Sequence, residues 1–445
     1  MKKFSFISII IILNLLLSSC ADSITNIQSS ATIQTSHKDI PEKDTYDINF
    51  EGTVFTFAIL PDAYNDVYAD ESSNNKIDKN VAKSNKLLYD YYNCKIEAIT
   101  ASPATLFSDI AANDIKIDFL NYDLNTAYPY KNSFYDIKEF DIDLNDRVWD
   151  TELMEQVAIN KKLYAAIRVY SKSRIESTSV LLFNENVRSS IPELEKIDFY
   201  DARDGGLWSL DYFLHIIKLI PESSDICTFA SSMDDIARLF LSSGKIYSKI
   251  PYEKSEAHTN VINILSDIYS NESTHIVSKA QAQEMMENSE VLFILDNIRS
   301  LQNYTSKKIK FGVLPLPSYS QEYQYNKNYL EKDTLFIFAL KTDRDISVIS
   351  DFLTVYGEHS SQMQDASIYE YYAYVFTMDT ESSQSILSSI KNTKFDEVYA
   401  YGLANAEARL NEYILSEEKD TELFENIFYK SLSEDITSAL NKLKE

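Results

Sequence analysis

An α/β fold in two lobes is what the sequence predicts, from its length, its short apolar runs and the helical patterns between them. At 445 residues the chain exceeds what one hydrophobic core ordinarily organises, so two domains are expected. From Gly52 the pattern Thr53-Val-Phe-Thr-Phe-Ala-Ile-Leu60, stopped by Pro61-Asp62, fits a strand buried on both faces. Ile77, Val81, Leu88 and Tyr91 then fall near helical spacing, and Cys94 to Ile99 reads as a second strand. Ile115 to Leu120 reads as a third, which places Asn121-Tyr122-Asp123 just past its end. Strand, helix, strand, strand opens an α/β lobe.

Further apolar runs follow at Leu163 to Val169, Ser179 to Phe183, Ile309 to Leu316 and Thr334 to Leu340. Ile346, Ile349, Leu353 and Tyr356 are spaced by three and four, and Leu423 to Leu443 closes the chain as a helix or helix pair. Trp208-Ser209-Leu210-Asp211 precedes an apolar helix that Pro221 ends. Ser209 is a good N-cap there, with Trp208 stapled against Phe213. No repeat of 20 to 50 residues is visible, which removes solenoids and propellers.

Composition narrows the chemistry. A formal charge of -26 repels phosphate backbones, so nucleic acid is a poor partner. Only 7 glycines occur beside 31 tyrosines, leaving little material for phosphate-cradling loops. The chain has neither the Gly-x-Ser-x-Gly turn of serine hydrolases nor the His-Glu-x-x-His of zinc peptidases, and no Asp-x-Asp-x-Asp-Gly calcium loop. His37, His215, His258, His275 and His359 are scattered singly, so no metal or other cofactor is expected. The 68 acidic residues leave a glycosidase's two carboxylates open.

At the N-terminus Lys2 and Lys3 precede an apolar run, Ile7 to Leu17, broken by Ser8 and Asn14 and followed by Ser18-Ser19-Cys20. This reads as a signal peptide, residues 1–19, rather than a spanning helix. Residues 20–47 are polar and carry little to bury, so they read as a tether. Cys94 and Cys227 are expected to remain separate buried thiols.

Leu17-Ser18-Ser19-Cys20 resembles the lipobox of bacterial lipoproteins, in which lipid is attached to the cysteine. Along the body, Lys161-Lys-Leu-Tyr-Ala-Ala166 with Ser179-Val-Leu-Leu-Phe-Asn184 is similar to the stretch where sugar-binding lipoproteins first cross between lobes, with Asn160 in place of a usual glycine. Gly206-Leu-Trp-Ser-Leu-Asp211, Phe311-Gly-Val-Leu-Pro-Leu-Pro317 and Met378-Asp-Thr-Glu-Ser-Ser383 resemble three further elements in the same order. The chain thus resembles lipid-anchored extracellular solute-binding proteins of carbohydrate ABC transporters, the maltose-binding-like class. It departs from them at Glu222 to Phe229, where many relatives carry an Asp- and Gly-rich loop, and at Glu290, where they carry glycine.

The resemblance implies a type II periplasmic-binding-protein-like fold with a ligand cleft. Residues 48–168 plus 312–342 would form the first lobe, and 169–311 plus 343–445 a more helical second one. It also implies a non-enzymatic importer component, held by Cys20 on the outer face of a Gram-positive membrane. That component would be monomeric, would capture an oligosaccharide and would serve permease subunits. Ligands of such folds sit beyond the carboxyl ends of strands, so Asp62, Tyr64, Tyr122, Asp123, Tyr170 and Arg174 are the candidate ligand residues, with Asp296 opposite. An exported glycosidase and a glycan-adhesion lipoprotein are the alternatives.

Overall fold

Strands whose residues are buried on both faces account for most of the apolar runs. A computed structural model describes residues 46–61, 64–70, 72–73, 76–112, 116–145, 148–220, 226–243, 256–319, 328–377, 379–416 and 430–444. The expected signal peptide, Cys20 and the tether up to residue 45 lie outside them, as does Asp62. Asp47–Glu445 is one compact unit. Its strands are β1 (Thr53–Ile59), β2 (Cys94–Thr100), β3 (Phe119–Asp123), β4 (Ala165–Ala166), β5 (Ser179–Asn184), β6 (Cys227–Ser231), β7 (Thr274–Ile276), β8 (Val291–Asn297), β9 (Phe311–Leu314), β10 (Asn328–Tyr329), β11 (Leu335–Ala339) and β12 (Thr393–Lys394).

The first sheet has the order β2-β1-β3-β11-β4, with β1 parallel to β2 and β3, and β11 antiparallel to β3 and β4. The second has the order β7-β6-β8-β5-β9, with β6 parallel to β7 and β8, and β5 antiparallel to β8 and β9. β10 and β12 form a separate parallel pair. The second sheet is built from the consecutive strands β5 to β9, and the first then receives β11 from far along the chain, so the chain passes between lobes more than once.

The register shifts two expectations. The third strand spans Phe119–Asp123; Asp118, just before it, bonds Thr56 and Leu340 through its backbone, while its carboxylate accepts the Thr56 N–H at 2.9 Å and pairs with Arg344 at 2.7 Å. Asn121, Tyr122 and Asp123 therefore lie within β3 rather than after it. Likewise β9 pairs with β5, so Phe311–Leu314 belongs to the second sheet and the chain returns to the first lobe only with β11, later than residue 312. Residues 343–445 also divide: Ile349, Phe352, Leu353, Val355 and Tyr356 enter the first core, while Tyr372, Phe376, Ile386 and Ile390 pack against second-sheet residues such as Val180 and Ile294.

Local motifs are explained by this packing. Asn160 and Lys161 have φ of 51° and 65° between the bridged Ile159 and Lys162, a tight turn that asparagine enters more easily than most residues. A Cβ on Gly312 would lie 2.1 Å from Phe183 Cζ and 2.4 Å from the Tyr200 hydroxyl, so only glycine fits. Asp379 caps helix Thr380–Lys391, and Ser382 Oγ accepts the Val313 N–H at 2.9 Å, locking that helix onto β9. Ser209 caps helix Leu210–Leu219, Trp208 meets Phe213 edge-on at 6.2 Å, and the indole N–H donates to Pro315 O at 2.8 Å.

Candidate functional site

The carboxyl ends of the parallel strands in both sheets converge on the segments that pass between lobes. Past β1, Asp66 accepts the Ser173 N–H at 2.9 Å, and Ser173 lies on the first crossing, in helix Lys172–Glu176. Ser173 Oγ in turn accepts the Leu335 N–H of β11 at 2.7 Å. Past β6 and β7, Arg238 and Lys279 reach Glu331, on the second crossing, at 3.1 and 2.8 Å. This junction is where an open α/β sheet presents a ligand crevice.

Most of the expected site residues have structural work here. Tyr122 is fully buried and its hydroxyl donates to Ala101 O at 3.0 Å, so the ring is core rather than a stacking face. β3 runs on through Asp123, so Tyr122 stands inside the strand opposite Phe336 of β11 rather than beyond its end. Arg174 is buried with Nε 2.7 Å from Asp150. Asp296, also fully buried, accepts from Ser300 Oγ at 2.6 Å, Tyr304 OH at 2.8 Å and Gln283 Nε2 at 3.0 Å. Asp123 caps the short helix Leu124–Ala127 through the Thr126 N–H and stays half-buried. Tyr170 is half-buried in the turn closed by Ser171 N–H to Arg168 O. Tyr64 begins a short helix, Tyr64–Val67.

Other residues reach the junction without having been expected. Arg168 is 2% exposed with its guanidinium 4.7 Å over the Tyr356 ring, and its Nε and Nη1 have no hydrogen-bond partner. Past β6, Met233 and Asp234 are exposed at the start of helix Met233–Ser242. Past β8, Arg299 reaches Glu176 and Asp333 at 3.4 and 3.6 Å and remains 47% exposed. β6 was hidden in the mixed run Cys-Thr-Phe-Ala-Ser, but Ser232-x-x-Asp235 ahead of an apolar helix is a capping-box signal that could have located it.

Charge is arranged tightly around Glu331. Burial opposes its ionisation, but Arg238 and Lys279 outweigh that and hold its carboxyl down at about 2. Asn297 Nδ2 donates to its other oxygen at 2.7 Å. Burial pushes Glu176 upward against Lys172, Arg299 and the Tyr372 hydroxyl, which donates to it at 2.5 Å. Among the described residues no group of three His, Cys, Asp or Glu side chains is placed to hold a metal ion. Cys94 and Cys227 are free and buried, one in each sheet.

No protein-family model and no curated protein matches the chain by sequence. Solved structures do match by shape. The cyclic alpha-maltosyl-1,6-maltose binding protein of Arthrobacter globiformis superposes with a TM-score of 0.61 at 10% identity, over 88% of this chain and 99% of that one. The sugar-binding protein MalE of Xanthomonas citri gives 0.59 at 10% identity, over 88% and 98%. The ABC substrate-binding protein Lmo0181 of Listeria monocytogenes, solved with cycloalternan, gives 0.57 at 12% identity, over 87% and 99%. With the strand orders and the repeated crossings, these matches give the chain the fold of the two-lobed type II periplasmic binding proteins.

Proposed function

We propose that this chain is the substrate-binding component of an ABC importer, which captures an extracellular carbohydrate between its lobes and delivers it to permease subunits. The observation that carries the reading is the match in shape, over nearly the full length of each, to binding proteins described as taking maltose-type saccharides. The junction suits that role. Crossing segments that touch the strand ends of both lobes couple hinge closure to ligand contact.

Asp123 and Tyr170 offer a carboxylate and a ring at this junction, and Asp62 and Tyr64 belong to the same segment past β1. Arg168 adds two donors without acceptors, suited to a hydroxyl or ring oxygen. Tyr122, Arg174 and Asp296 are withdrawn from the ligand set. Cys20 is the proposed lipid-bearing residue, which would hold the body on the outer face of the membrane, and the protein would bind its solute without altering it.

A thermal-shift screen over glycans tests the reading. A saccharide at 100 times its dissociation constant should add about 2.7 kcal/mol of stability and leave the reaction mixture chemically unchanged. A response to peptides or other solutes and to no glycan would overturn the carbohydrate assignment.

A further inference from the structure

Three of the described arginines are buried, and two of them meet acids. Arg174 lies 2.7 Å from Asp150, and Arg238 lies 3.0 and 3.1 Å from Asp235 and Glu331. The five described arginines that are less buried also each pair with a carboxylate. Arg168 is the exception. It is the most buried of all, and its side chain has neither an ion pair nor a hydrogen bond among the described residues. In a chain with 68 acidic residues against 42 basic ones, a shortage of acids does not explain this.

The neighbouring acids are committed elsewhere. Asp150 holds Arg174 and accepts the Leu153 N–H at 3.1 Å, while Asp66 accepts the Ser173 N–H at 2.9 Å. The Tyr356 face, 4.7 Å from the guanidinium carbon, answers part of the charge but accepts none of the in-plane N–H groups. A guanidinium cannot shed its proton, so burial leaves a full charge with Nε and Nη1 lacking acceptors, an arrangement that an anion would relieve. Arg168 stands on the first crossing, between β4 and helix Lys172–Glu176. Burial pushes the Tyr356 hydroxyl up, Arg168 pulls it back, and Asp66, past the carboxyl end of β1, pushes it up again. The unanswered charge therefore lies at the crevice end of the first sheet, on a segment that turns when the lobes move.

We propose that the cargo is an acidic oligosaccharide, one whose sugars carry a carboxylate, and that Arg168 binds that carboxylate. The inference rests on the carbohydrate-importer reading above and narrows its substrate class. A sugar hydroxyl or ring oxygen would satisfy the donors and leave the charge unanswered. A carboxylate does both, and its two oxygens match the planar donors of a guanidinium. Arg168 is 2% exposed with the lobes as they stand, so the carboxylate reaches it while the lobes are apart and is enclosed as the crossings turn. The net charge of -26 repels such a cargo at a distance, but salt screens that field beyond about 8 Å and screens an enclosed pair far less.

Titration calorimetry on the full chain tests this, with oligogalacturonate, oligoalginate and hyaluronan fragments each set beside the same oligosaccharide after reduction of its carboxyls to alcohols. An acidic member should bind about a hundredfold or more tightly than its reduced partner, and Arg168→Met should remove that preference. Arg168→Lys keeps the charge without the planar fork, so it should weaken binding of the acidic member and leave the reduced one unaffected. A cooperative melting transition verifies folding, and the lysine variant carries the test should the methionine one fail to fold. Neutral saccharides bound with no acidic preference would overturn the inference and leave the importer reading standing. Acidic binding that neither variant changes would overturn it as well. Binding of no saccharide, acidic or neutral, would remove the importer reading and this inference with it.

Discussion

Around Phe352 the first lobe is held by rings: Phe55 stacks on it at 3.9 Å, Phe119 lies at 5.2 Å and Tyr356 at 5.5 Å. At the ends of β6 and β8 the second lobe instead holds its crossing segment with ions. Arg238 pairs with Asp235 and Glu331 at 3.0 and 3.1 Å, and Lys279 bridges Glu331 and Asp296. Ring packing is nearly indifferent to pH and tolerates small shifts, whereas a buried network holds its strap in one orientation and suffers when one member is lost. The lobes share a sheet architecture but respond differently to perturbation.

The sharpest way to break the contrast is Phe352→Ala, which should cost about 3–5 kcal/mol. The loss should be the same at pH 4 and pH 7 in urea titrations; a strong pH dependence would merge the two regions into one. Arg238→Met should cost about 3 kcal/mol at neutral pH, because it leaves Asp235 and Glu331 buried with less compensation. Part of that loss should disappear in acid.

Glu331→Gln refines the same point. The folded state holds the Glu331 carboxyl at about 2 against an ordinary 4.5, so ionisation is favoured by folding. Its stabilising contribution is complete above about pH 4.5 and is lost as pH falls toward about 2. Wild type and variant should therefore differ at neutral pH and converge across that window; a constant gap would show that the carboxylate is not paired. The smallest effect expected is that of Tyr122→Phe, which removes one buried hydrogen bond worth about 1 kcal/mol. Saccharide-induced stabilisation should be untouched by it, and a lost ligand response would return Tyr122 to the site.

Much of the fold was legible because burial on both faces writes itself as unbroken apolar runs. β1, β2, β5, β9 and β11 lie within two residues of where those runs placed them. The Trp208 staple was also legible, since cap and staple are local in sequence. What failed was whatever depends on partners far along the chain. The third strand starts only after Asp118, whose carboxylate Thr56 and Arg344 hold, and runs on through Asp123, which makes Tyr122 core rather than a cleft candidate. Asp296 was expected on the opposite wall of the cleft, but Tyr304, Ser300 and Gln283 enclose it. Arg168 gave no sequence signal, because an unsatisfied guanidinium is visible only once its neighbours are known.

The repeated crossing also sets a timetable for synthesis. β3 ends at Asp123, but its antiparallel partner β11 begins at Leu335 and Phe352 lies further on, so the first lobe cannot complete its sheet or its ring cluster until most of the chain exists. At ~5–20 residues per second, the early strands wait roughly 10 to 40 seconds for that partner. During this interval β1 and β3 lack the part of their packing that β11, Phe352 and Tyr356 supply. The order of segments therefore keeps the N-terminal half unfinished for most of translation, a state open to chaperones and to passage through a narrow pore.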